Sequence, residues 1–348
     1  KEIKSDLEST YPGRNNGNWE YANATSFAVD DNDNTYVIGD FIGTYKGNKT
    51  NSDWDGFIEK FDKNGNSIAD KLLTTSSNEF LRNILISKDN NIYINGITSG
   101  NLYNHTRVGD YDNFTAKYDL NLNKLWSKLE GSSKYENPRH LGINNKNNTF
   151  YQLIDTTGDL HEKNNTGGYL TYLHQYTKDG ELLSYKKFKN PPHVSHQIAD
   201  DDGNIFIIYN GRNSLDKSRN DREIYLGKMN LDGVISDYQW FGSGGNDSVT
   251  GFTRHNNNFY IFGSSDGNLL DPNSGKTRSN NNYILKFCLD YIDPKITGPS
   301  GVAGSSTSSK SINENSKTVH TFKADETVTW SLVGGADASK FNINSSTG

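Results

Sequence analysis

Asn34-Thr-Tyr-Val-Ile-Gly39 is an asparagine-led turn followed by an aromatic and aliphatic segment, and it decides the fold because it recurs. Its counterparts are Asn91-Ile-Tyr-Ile-Asn-Gly96, Asn148-Thr-Phe-Tyr-Gln-Leu153, Asn204-Ile-Phe-Ile-Ile-Tyr209 and Asn258-Phe-Tyr-Ile-Phe-Gly263. The aromatic residue recurs in steps of 57, 57, 56 and 54 residues, at Tyr36, Tyr93, Phe150, Phe206 and Tyr260. A fixed period of this length is the signature of a repeat architecture.

A second landmark follows the same period. It has two large apolar residues four positions apart, as in Phe57-Ile-Glu-Lys-Phe61, Phe114-Thr-Ala-Lys-Tyr118, Tyr172-Leu-His-Gln-Tyr176, Tyr225-Leu-Gly-Lys-Met229 and Tyr283-Ile-Leu-Lys-Phe287. In a strand these two residues point to one face, so we expect them in the core. The lysines of the series, Lys60, Lys117, Lys228 and Lys286, then fall on the opposite face. They would either ring a channel or lie at strand ends with their ammonium groups in water.

Each repeat reads as four short strands separated by turns rich in Asn, Asp and Gly. In the second copy these are Asn83–Ser87, Asn91–Thr98, Asn113–Asp119 and Leu125–Leu129. No segment has the 3.6-residue period of a helical repeat. Antiparallel four-stranded units repeated in this way predict an all-β fold, a five-bladed β-propeller spanning residues 1–291. The fifth copy stops after its third strand, so we expect Glu2–Glu8 to supply the fourth strand and close the ring.

The composition excludes several classes of protein. Aromatic residues make up 12% of the chain, which is unusual for a disordered protein, although only 32% is hydrophobic. The net charge of −6 offers no basic surface for nucleic acid. Cys288 is the only cysteine, so the chain has no internal disulfide. No apolar run is long enough to span a membrane, and we expect no membrane insertion in this segment.

The repeat resembles the bacterial SBBP β-propeller repeat. The resemblance rests on the segments Ala28–Gly39, Phe57–Asp62, Leu125-Trp126 and Trp240-Phe-Gly-Ser-Gly-Gly245, and it covers about four fifths of the chain through five degenerate copies. Copies three and four depart most, since Leu153 and Tyr209 replace the glycine. The resemblance implies a propeller in a large secreted or surface protein, and it implies no defined reaction.

The end of the chain has a different composition. Residues 292–310 include Gly298-Pro-Ser-Gly-Val-Ala-Gly-Ser-Ser and read as a linker. Residues 311–348 contain Ser311-Ile-Asn-Glu-Asn315 and Thr329-Trp-Ser-Leu-Val-Gly-Gly-Ala-Asp337, and they resemble the first half of a cadherin-like domain, a partial β-sandwich. Such modules bind calcium through carboxylates. The resemblance therefore implies calcium ligands at Glu314 and Asp325, although the usual Asp-x-Asp pair is not evident around Asp325.

Other polar patterns have simpler interpretations. Asp30–Asn34 and Asp200–Asn204 resemble calcium loops, but both fall where each repeat needs a turn, and neither has the distal Glu of an EF-hand. His193 and His196 are three apart and would point to opposite faces of a strand. No nucleophile elbow, phosphate-binding loop or paired zinc motif is present. The loops of residues 40–56, 99–112 and 264–282 are the predicted binding surface.

These observations favour a non-enzymatic binding or scaffold module of a large secreted or cell-surface protein. Its partner would be a protein or glycan on a cell surface, and its role adhesive. One alternative is a glycan-binding propeller that uses Tyr, Trp and Asn side chains. A further alternative is a polysaccharide-acting lyase or hydrolase, which would need a convergent acid and base cluster in a pocket.

Overall fold

The structure is a computed structural model, and it describes residues 13–15, 18–49, 53–145, 147–161, 168–189, 194–199, 204–212, 222–230, 235–243, 245–255, 258–267, 281–288, 296–300, 309–313, 317–324, 330–331 and 340–347. The structure is 60% strand and 2% helix, and its described part has one 3₁₀ turn, at Leu102–Asn104. In that part no helix has the length and apolar character needed to cross a membrane.

Among the described residues the longer strands form five sheets, numbered here in chain order, and the short strands Thr44–Tyr45 and Asn48–Lys49 form a separate antiparallel pair. Sheet 1 consists of Gly13–Asn15, Asn18–Val29, Thr35–Ile42, Asp55–Phe61 and Ser67–Leu73. Sheet 2 consists of Glu79–Ile86, Asn91–Thr98, Asp112–Asp119 and Lys124–Glu130, and sheet 3 of Glu136–Asn144, Thr149–Thr156, Leu170–Thr177 and Leu182–Lys189. Sheet 4 consists of Val194–Ala199, Ile205–Arg212, Arg222–Met229 and Ile235–Phe241, and sheet 5 of Asp247–His255, Asn258–Ser265 and Asn281–Cys288.

The all-β propeller prediction is confirmed, with sheets 1 to 4 as blades. The finer prediction of five complete blades is not confirmed, because sheet 5 has three strands among the described residues. The closing segment, residues 2–8, lies outside the described residues. The described residues of the tail form a single strand pair, Ile296–Thr297 with Lys323–Ala324, so the partial β-sandwich is not confirmed either.

The chain consists of two compact units. One comprises Lys1–Thr253 and Ile261–Leu285, and the other Arg254–Tyr260 and Lys286–Gly348. In the second unit, Phe322 packs on Trp330 with ring centroids 5.8 Å apart. Glu314 and Asp325, the predicted calcium ligands, both lie outside the described residues.

Carboxylates at the turns explain how the strands reverse. The Asp62 Oδ1 atom accepts hydrogen bonds from the backbone N–H groups of Asn64 and Asn66, at 2.8 and 2.9 Å. Asp30 and Asp119 repeat this arrangement. Asparagine and aspartate stabilise turns in this way because their side chains reach their own backbone two residues on. The interpretation of Asp30–Asn34 as a turn is confirmed.

The aromatic repeat forms the core between neighbouring sheets, as predicted. Tyr36 and Tyr93 are fully buried, and Phe57 and Phe114 are as well. One apolar cluster contains Tyr36 and Ile58 of sheet 1 together with residues of sheet 2, a second contains Tyr93 of sheet 2 and Phe150 of sheet 3, and a third contains Leu173 of sheet 3 and Ile207 of sheet 4. Sheets 1, 2 and 3 therefore each hide a face against the next sheet, whereas Tyr260 and Tyr283 of sheet 5 are half-buried.

The repeated glycine makes this packing possible. A Cβ atom on Gly96 would lie 2.2 Å from the Phe80 carbonyl oxygen and 2.7 Å from the Phe114 ring. Gly39 has the same surroundings in sheet 1, where an added Cβ atom would lie 2.7 Å from the Phe57 ring. The aromatic residue of the third strand thus lies over a glycine of the second strand, and no side chain fits between them.

The repeated lysines join neighbouring sheets. Lys60 lies 5.1 Å from the Tyr36 ring centroid and donates a 2.9 Å hydrogen bond to the Leu120 carbonyl of sheet 2. Lys117 repeats the arrangement, with the Lys178 carbonyl of sheet 3 at 3.1 Å. Lys117 is only 7% exposed, so the expectation of an ammonium group in water is wrong for this residue.

Candidate functional site

The first compact unit contains a cavity of about 1010 Å³. Its walls come mainly from the first long strand of sheets 1, 2, 3 and 5, which we call the inner strands: Asn18–Val29, Glu79–Ile86, Glu136–Asn144 and Asp247–His255. We call it the axial cavity, because the inner strands of a propeller surround its axis. Its size is at the upper end of the range for small-molecule sites.

A β-bulge recurs at one position of the inner strands. The pairing register shifts between Ala24 and Ser26, between Leu81 and Asn83, and between Pro138 and His140. The skipped residues are Thr25, Arg82 and Arg139, which are 57 residues apart in each step (25, 82, 139). All three line the axial cavity. A bulge re-aims the side chain of the extra residue, and here it does so at the same level of three neighbouring sheets.

Arg139 is held in place by two partners. Its Nε atom donates to the Asp155 Oδ2 atom at 2.5 Å, and its Nη2 atom donates to the Tyr169 hydroxyl at 3.2 Å. Burial alone lowers the pKa of Arg139, but these contacts with Asp155 and Tyr169 raise it above its ordinary value. The guanidinium is therefore charged and oriented before any ligand arrives.

Arg82 has a different environment. Its guanidinium carbon lies 5.7 Å from the Phe80 ring centroid. Burial raises the pKa of Asp40 to about 6, and the positive charge of Arg82 acts in the opposite direction. The Asp40 Oδ1 atom is buried and has no hydrogen-bond partner among the described residues. Asp40 is therefore a carboxyl group that can gain or lose a proton close to neutral pH.

The remaining lining combines amides, hydroxyls and exposed rings. Asn83 and Asn137 lie beside the two arginines, and Thr250 comes from sheet 5. Phe27 and Phe262 also line the cavity and are 68% and 36% exposed. None of the described lining residues is acidic, although the whole chain carries a net charge of −6. The cavity lining thus carries two guanidinium groups and two exposed rings, and each guanidinium interacts with a carboxyl group outside the lining, Asp155 for Arg139 and Asp40 for Arg82.

A polar cluster on sheet 3 is a second group of titratable residues. The Nε2 atoms of His161 and His174 are 2.9 Å apart, and the Nδ1 atom of His174 lies 2.6 Å from the Tyr176 hydroxyl. Tyr176 donates in turn to Glu130 of sheet 2. Burial raises the pKa of Glu130, but His174, Lys128 and Tyr176 together lower it to about 2. His174 and Tyr176 are buried, so this cluster belongs to the packing between sheets 2 and 3.

A third group of polar residues lies where the inner strands of sheets 2, 3 and 5 begin. A Ser or Thr four residues before a carboxylate donates to it through both backbone and hydroxyl, as in Thr75 with Glu79, Ser132 with Glu136, and Ser243 with Asp247. Burial raises the pKa of Glu79 to about 7. These buried carboxyl groups fix the turn into each inner strand.

The prediction of a binding surface on the loops stays a prediction, and the axial cavity is a different candidate surface. The axial cavity is lined by inner strands, whereas the predicted loops of residues 40–56 and 99–112 contribute none of its described lining residues. The equal spacing of Arg82 and Arg139 was a visible signal, and Arg82 falls just before Asn83–Ser87, the predicted first strand of the second copy. His193 lies outside the described residues, and only the backbone of His196 is described. The described residues contain no group of three His, Cys, Asp or Glu that would hold a metal ion.

No family model and no curated protein matches the chain. Solved structures do resemble it. The polysaccharide lyase Uly1 has 12% identity and a TM-score of 0.47, with 76% of this chain and 57% of the lyase covered. The parainfluenza virus 5 hemagglutinin-neuraminidase ectodomain has 9% identity and a TM-score of 0.45, with 77% and 70% covered. An α-L-arabinanase of Penicillium chrysogenum, complexed with arabinobiose, has 10% identity and a TM-score of 0.39, with 73% and 71% covered.

Likeness at these identities shows the fold alone. It nevertheless corrects one prediction. The sequence favoured a chain without enzymatic activity, but structures that resemble it include a lyase and an arabinanase. The prediction of a chain without enzymatic activity is therefore withdrawn; it had rested on the lack of a catalytic motif and on a repeat resemblance that implies no defined reaction. The adhesive role has no support in these findings.

Proposed function

We propose that the chain binds an acidic glycan, such as a polyuronate, in the axial cavity. The observation that carries this proposal is the pair Arg82 and Arg139, which occupy equivalent bulges and both line one cavity free of described acidic residues. A guanidinium group binds a carboxylate or sulfate through two parallel hydrogen bonds. Two such groups on neighbouring sheets select a ligand that carries repeated negative charges.

The other lining residues suit a sugar. Asn137 offers donors and an acceptor for hydroxyl groups, whereas Asn83 and Thr250 donate to protein oxygens and offer acceptors. Phe27 and Phe262 offer apolar faces on which the C–H face of a pyranose ring packs. An exposed Phe inside a cavity is unfavourable in water, at roughly 25 cal/mol per Å² of apolar surface, and a ligand that covers it recovers that free energy.

Binding to charged and neutral forms of one polymer tests the proposal. We expect polygalacturonate, alginate or hyaluronan to bind, and fully methyl-esterified polygalacturonate to bind at least tenfold more weakly than polygalacturonate. Arg82→Gln and Arg139→Gln should each weaken binding of the acidic polymer by roughly 10- to 100-fold, the equivalent of about 1.5–3 kcal/mol for a charged hydrogen bond. Calorimetry and affinity electrophoresis measure both effects.

Arg107→Gln is the matched control, because Arg107 is exposed and lies outside the lining of the cavity. It should bind like the unaltered chain. Thermal unfolding of every variant separates loss of binding from loss of folding. Equal binding of the charged and esterified polymers, or full binding by both cavity variants, would contradict the proposal.

A second candidate function is catalysis on the bound glycan, and Asp40 is the observation that favours it. Burial raises the pKa of Asp40 to about 6 against the opposing effect of Arg82, and Arg82 lines the cavity. We expect incubation with the polymer that binds to release shorter chains, and Asp40→Asn to abolish this release without weakening binding. Chromatography of products, with absorbance at the wavelength of unsaturated uronates, distinguishes elimination from hydrolysis. Release that persists in Asp40→Asn would rule out this role.

We also propose that the propeller is closed as a five-bladed ring in which residues 2–8 complete sheet 5, supported by the five sequence repeats and by sheet 5 residues in the cavity wall. The SBBP-like and cadherin-like resemblances, calcium at Glu314 and Asp325, and an extracellular location belong to the same proposal. Deletion of residues 1–12 should lower the melting temperature if this strand closes the ring. An unchanged melting temperature would contradict the closure.

A further inference from the structure

Five aromatic side chains form a continuous arc across sheets 1 to 3, which we call the aromatic arc: Tyr21, Trp54, Phe80, Tyr111 and Tyr135. Neighbouring ring centroids are 5.6, 5.9, 6.1 and 5.6 Å apart, in that order. The contacts are edge-on or tilted, with interplanar angles of 39° to 72°. Each ring therefore keeps part of a face turned away from its neighbours.

The aromatic arc is distinct from the aromatic core. None of its five members belongs to the three clusters that pack between neighbouring sheets. Tyr21 and Tyr135, at its ends, are 42% and 39% exposed, and the three rings between them are half-buried. A row of partly exposed large rings at the surface is a recurrent feature of interaction sites.

The repeat explains why the rings are aligned. Trp54 and Tyr111 are 57 residues apart, and each directly precedes an equivalent strand, Asp55–Phe61 in sheet 1 and Asp112–Asp119 in sheet 2. Equivalent positions of neighbouring blades face the same side of a propeller. Asn78 connects the two positions. Its side-chain nitrogen donates to the Tyr111 hydroxyl at 3.1 Å, and its Oδ1 atom accepts from the backbone N–H of Trp54 at 3.0 Å.

The aromatic arc is continuous with the axial cavity. Phe80, its middle ring, lies 5.7 Å from the guanidinium carbon of Arg82, which lines the cavity. Phe80 and Arg82 belong to the same inner strand, Glu79–Ile86. A ligand that reaches Arg82 from outside therefore has Phe80 and its neighbours beside it.

We infer that one acidic glycan chain is bound by both surfaces, with charged sugars at Arg82 and Arg139 and the following sugars stacked along the aromatic arc. This inference rests on the proposed function. It adds that the ligand is a long chain and not a short sugar, because successive rings at 5.6–6.1 Å offer one stacking surface after another across three sheets. An extended sugar chain keeps its hydroxyl groups in water while its C–H faces cover the rings.

Oligogalacturonates of defined length test the inference. The unaltered chain should bind the decamer at least tenfold more tightly than the trimer. Trp54→Ala and Tyr135→Ala should each remove roughly 3- to 10-fold of decamer affinity, the size of one aromatic contact, and leave trimer affinity unchanged. Trp54→Phe should retain most of the decamer affinity and shows that the ring itself is what matters.

Tyr185→Ala is the matched control, since Tyr185 is an exposed aromatic residue on the last strand of sheet 3, outside the arc. It should leave the decamer affinity unchanged. If trimer and decamer bind equally well, or if Trp54→Ala changes neither affinity, the inference is wrong and the cavity proposal stands. If no oligomer of any acidic glycan binds, both are wrong. Self-association of the unaltered chain in sedimentation, lost in Trp54→Ala, would assign the arc to a second copy instead and would also overturn the inference.

Discussion

Sheets 2 and 3 each have four antiparallel strands, but they differ in the residue at the centre of the third strand, which is apolar in sheet 2 and polar in sheet 3. In sheet 2 that position is Ala116, which is fully buried in an apolar cluster. In sheet 3 it is His174, which is also fully buried but bonds to His161 and Tyr176 and faces Glu130. In sheet 1 the equivalent residue is Glu59, whose Oε2 atom accepts from the Tyr45 hydroxyl at 2.6 Å.

This difference teaches that the repeat determines the position of a side chain and leaves its chemistry open. The flanking residues, Phe114 and Tyr118 in sheet 2 and Tyr172 and Tyr176 in sheet 3, provide the apolar packing in both cases. A polar residue between them is tolerated only where neighbours supply all of its hydrogen bonds. The position of Ala116 in sheet 2 therefore has no titratable group, whereas the position of His174 in sheet 3 depends on the charge of Glu130.

The largest expected effect comes from moving the histidine into the apolar sheet. Ala116→His should lower the free energy of unfolding by about 4 kcal/mol, because overpacking and an unpaired polar group each contribute roughly 1–3 kcal/mol. Urea unfolding followed by tryptophan fluorescence measures this change. A loss below about 1 kcal/mol would show that the cluster around Ala116 rearranges easily and that the contrast with sheet 3 is weak.

Removing the charge of Glu130 should have the next largest effect. Glu130→Gln should lower the free energy of unfolding at pH 7 by about 2 kcal/mol, because His174, Tyr176 and Lys128 lose a charged partner. The pKa of Glu130 falls from its ordinary value of 4.5 to about 2 in the folded protein. Its stabilisation is therefore present above pH 4.5 and is lost as the pH falls towards 2.

Urea unfolding at pH 7 and near pH 2.5 checks this dependence. The difference between the unaltered chain and Glu130→Gln should be large at pH 7 and small at pH 2.5. A difference that stays constant over this range would show that Glu130 acts through its shape and not through its charge.

A smaller effect on the free energy of unfolding, with the opposite dependence on pH, is expected for Glu79 of sheet 2. Burial raises the pKa of Glu79 from 4.5 to about 7, so its neutral form is the stable one in the fold. Its stabilisation is fully present below pH 4.5 and is lost as the pH rises through 7. Glu79→Gln removes the ionisation, its oxygen accepts from the Thr75 backbone N–H, and its amide nitrogen donates to the Thr75 and Thr98 hydroxyls, so it should be more stable than the unaltered chain by about 1 kcal/mol at pH 8.5. Melting temperatures at pH 5 and 8.5 test this, and equal differences at both values would contradict it.

The strands were the most predictable part of the fold. Asn91–Thr98 was predicted with the bounds that the structure has, and Asn113–Asp119 begins one residue late. Turn residues and alternating aromatic residues are local signals, and each strand carries both. The turn at Asp30 was equally legible, since its partners Asn32 and Asn34 are within four residues.

The candidate site was hidden because it depends on pairing between strands. Nothing local marks Thr25, Arg82 and Arg139 as bulged residues, since a bulge exists only relative to the partner strand. The burial of Lys117 was missed for a similar reason, because its acceptor, the Lys178 carbonyl, belongs to the next sheet. Sequence alone could offer the 57-residue spacing of the two arginines, and only the structure brings them to one cavity.

The position of a bound ligand tests the central claim most directly. A crystal structure with an acidic oligosaccharide, such as a galacturonate tetramer, should show the sugar in the axial cavity, with a carboxylate within hydrogen-bond distance of the Arg82 or Arg139 guanidinium. A ligand bound only on the outer strands, or an axial cavity without a sugar when the ligand is bound elsewhere, would contradict the account.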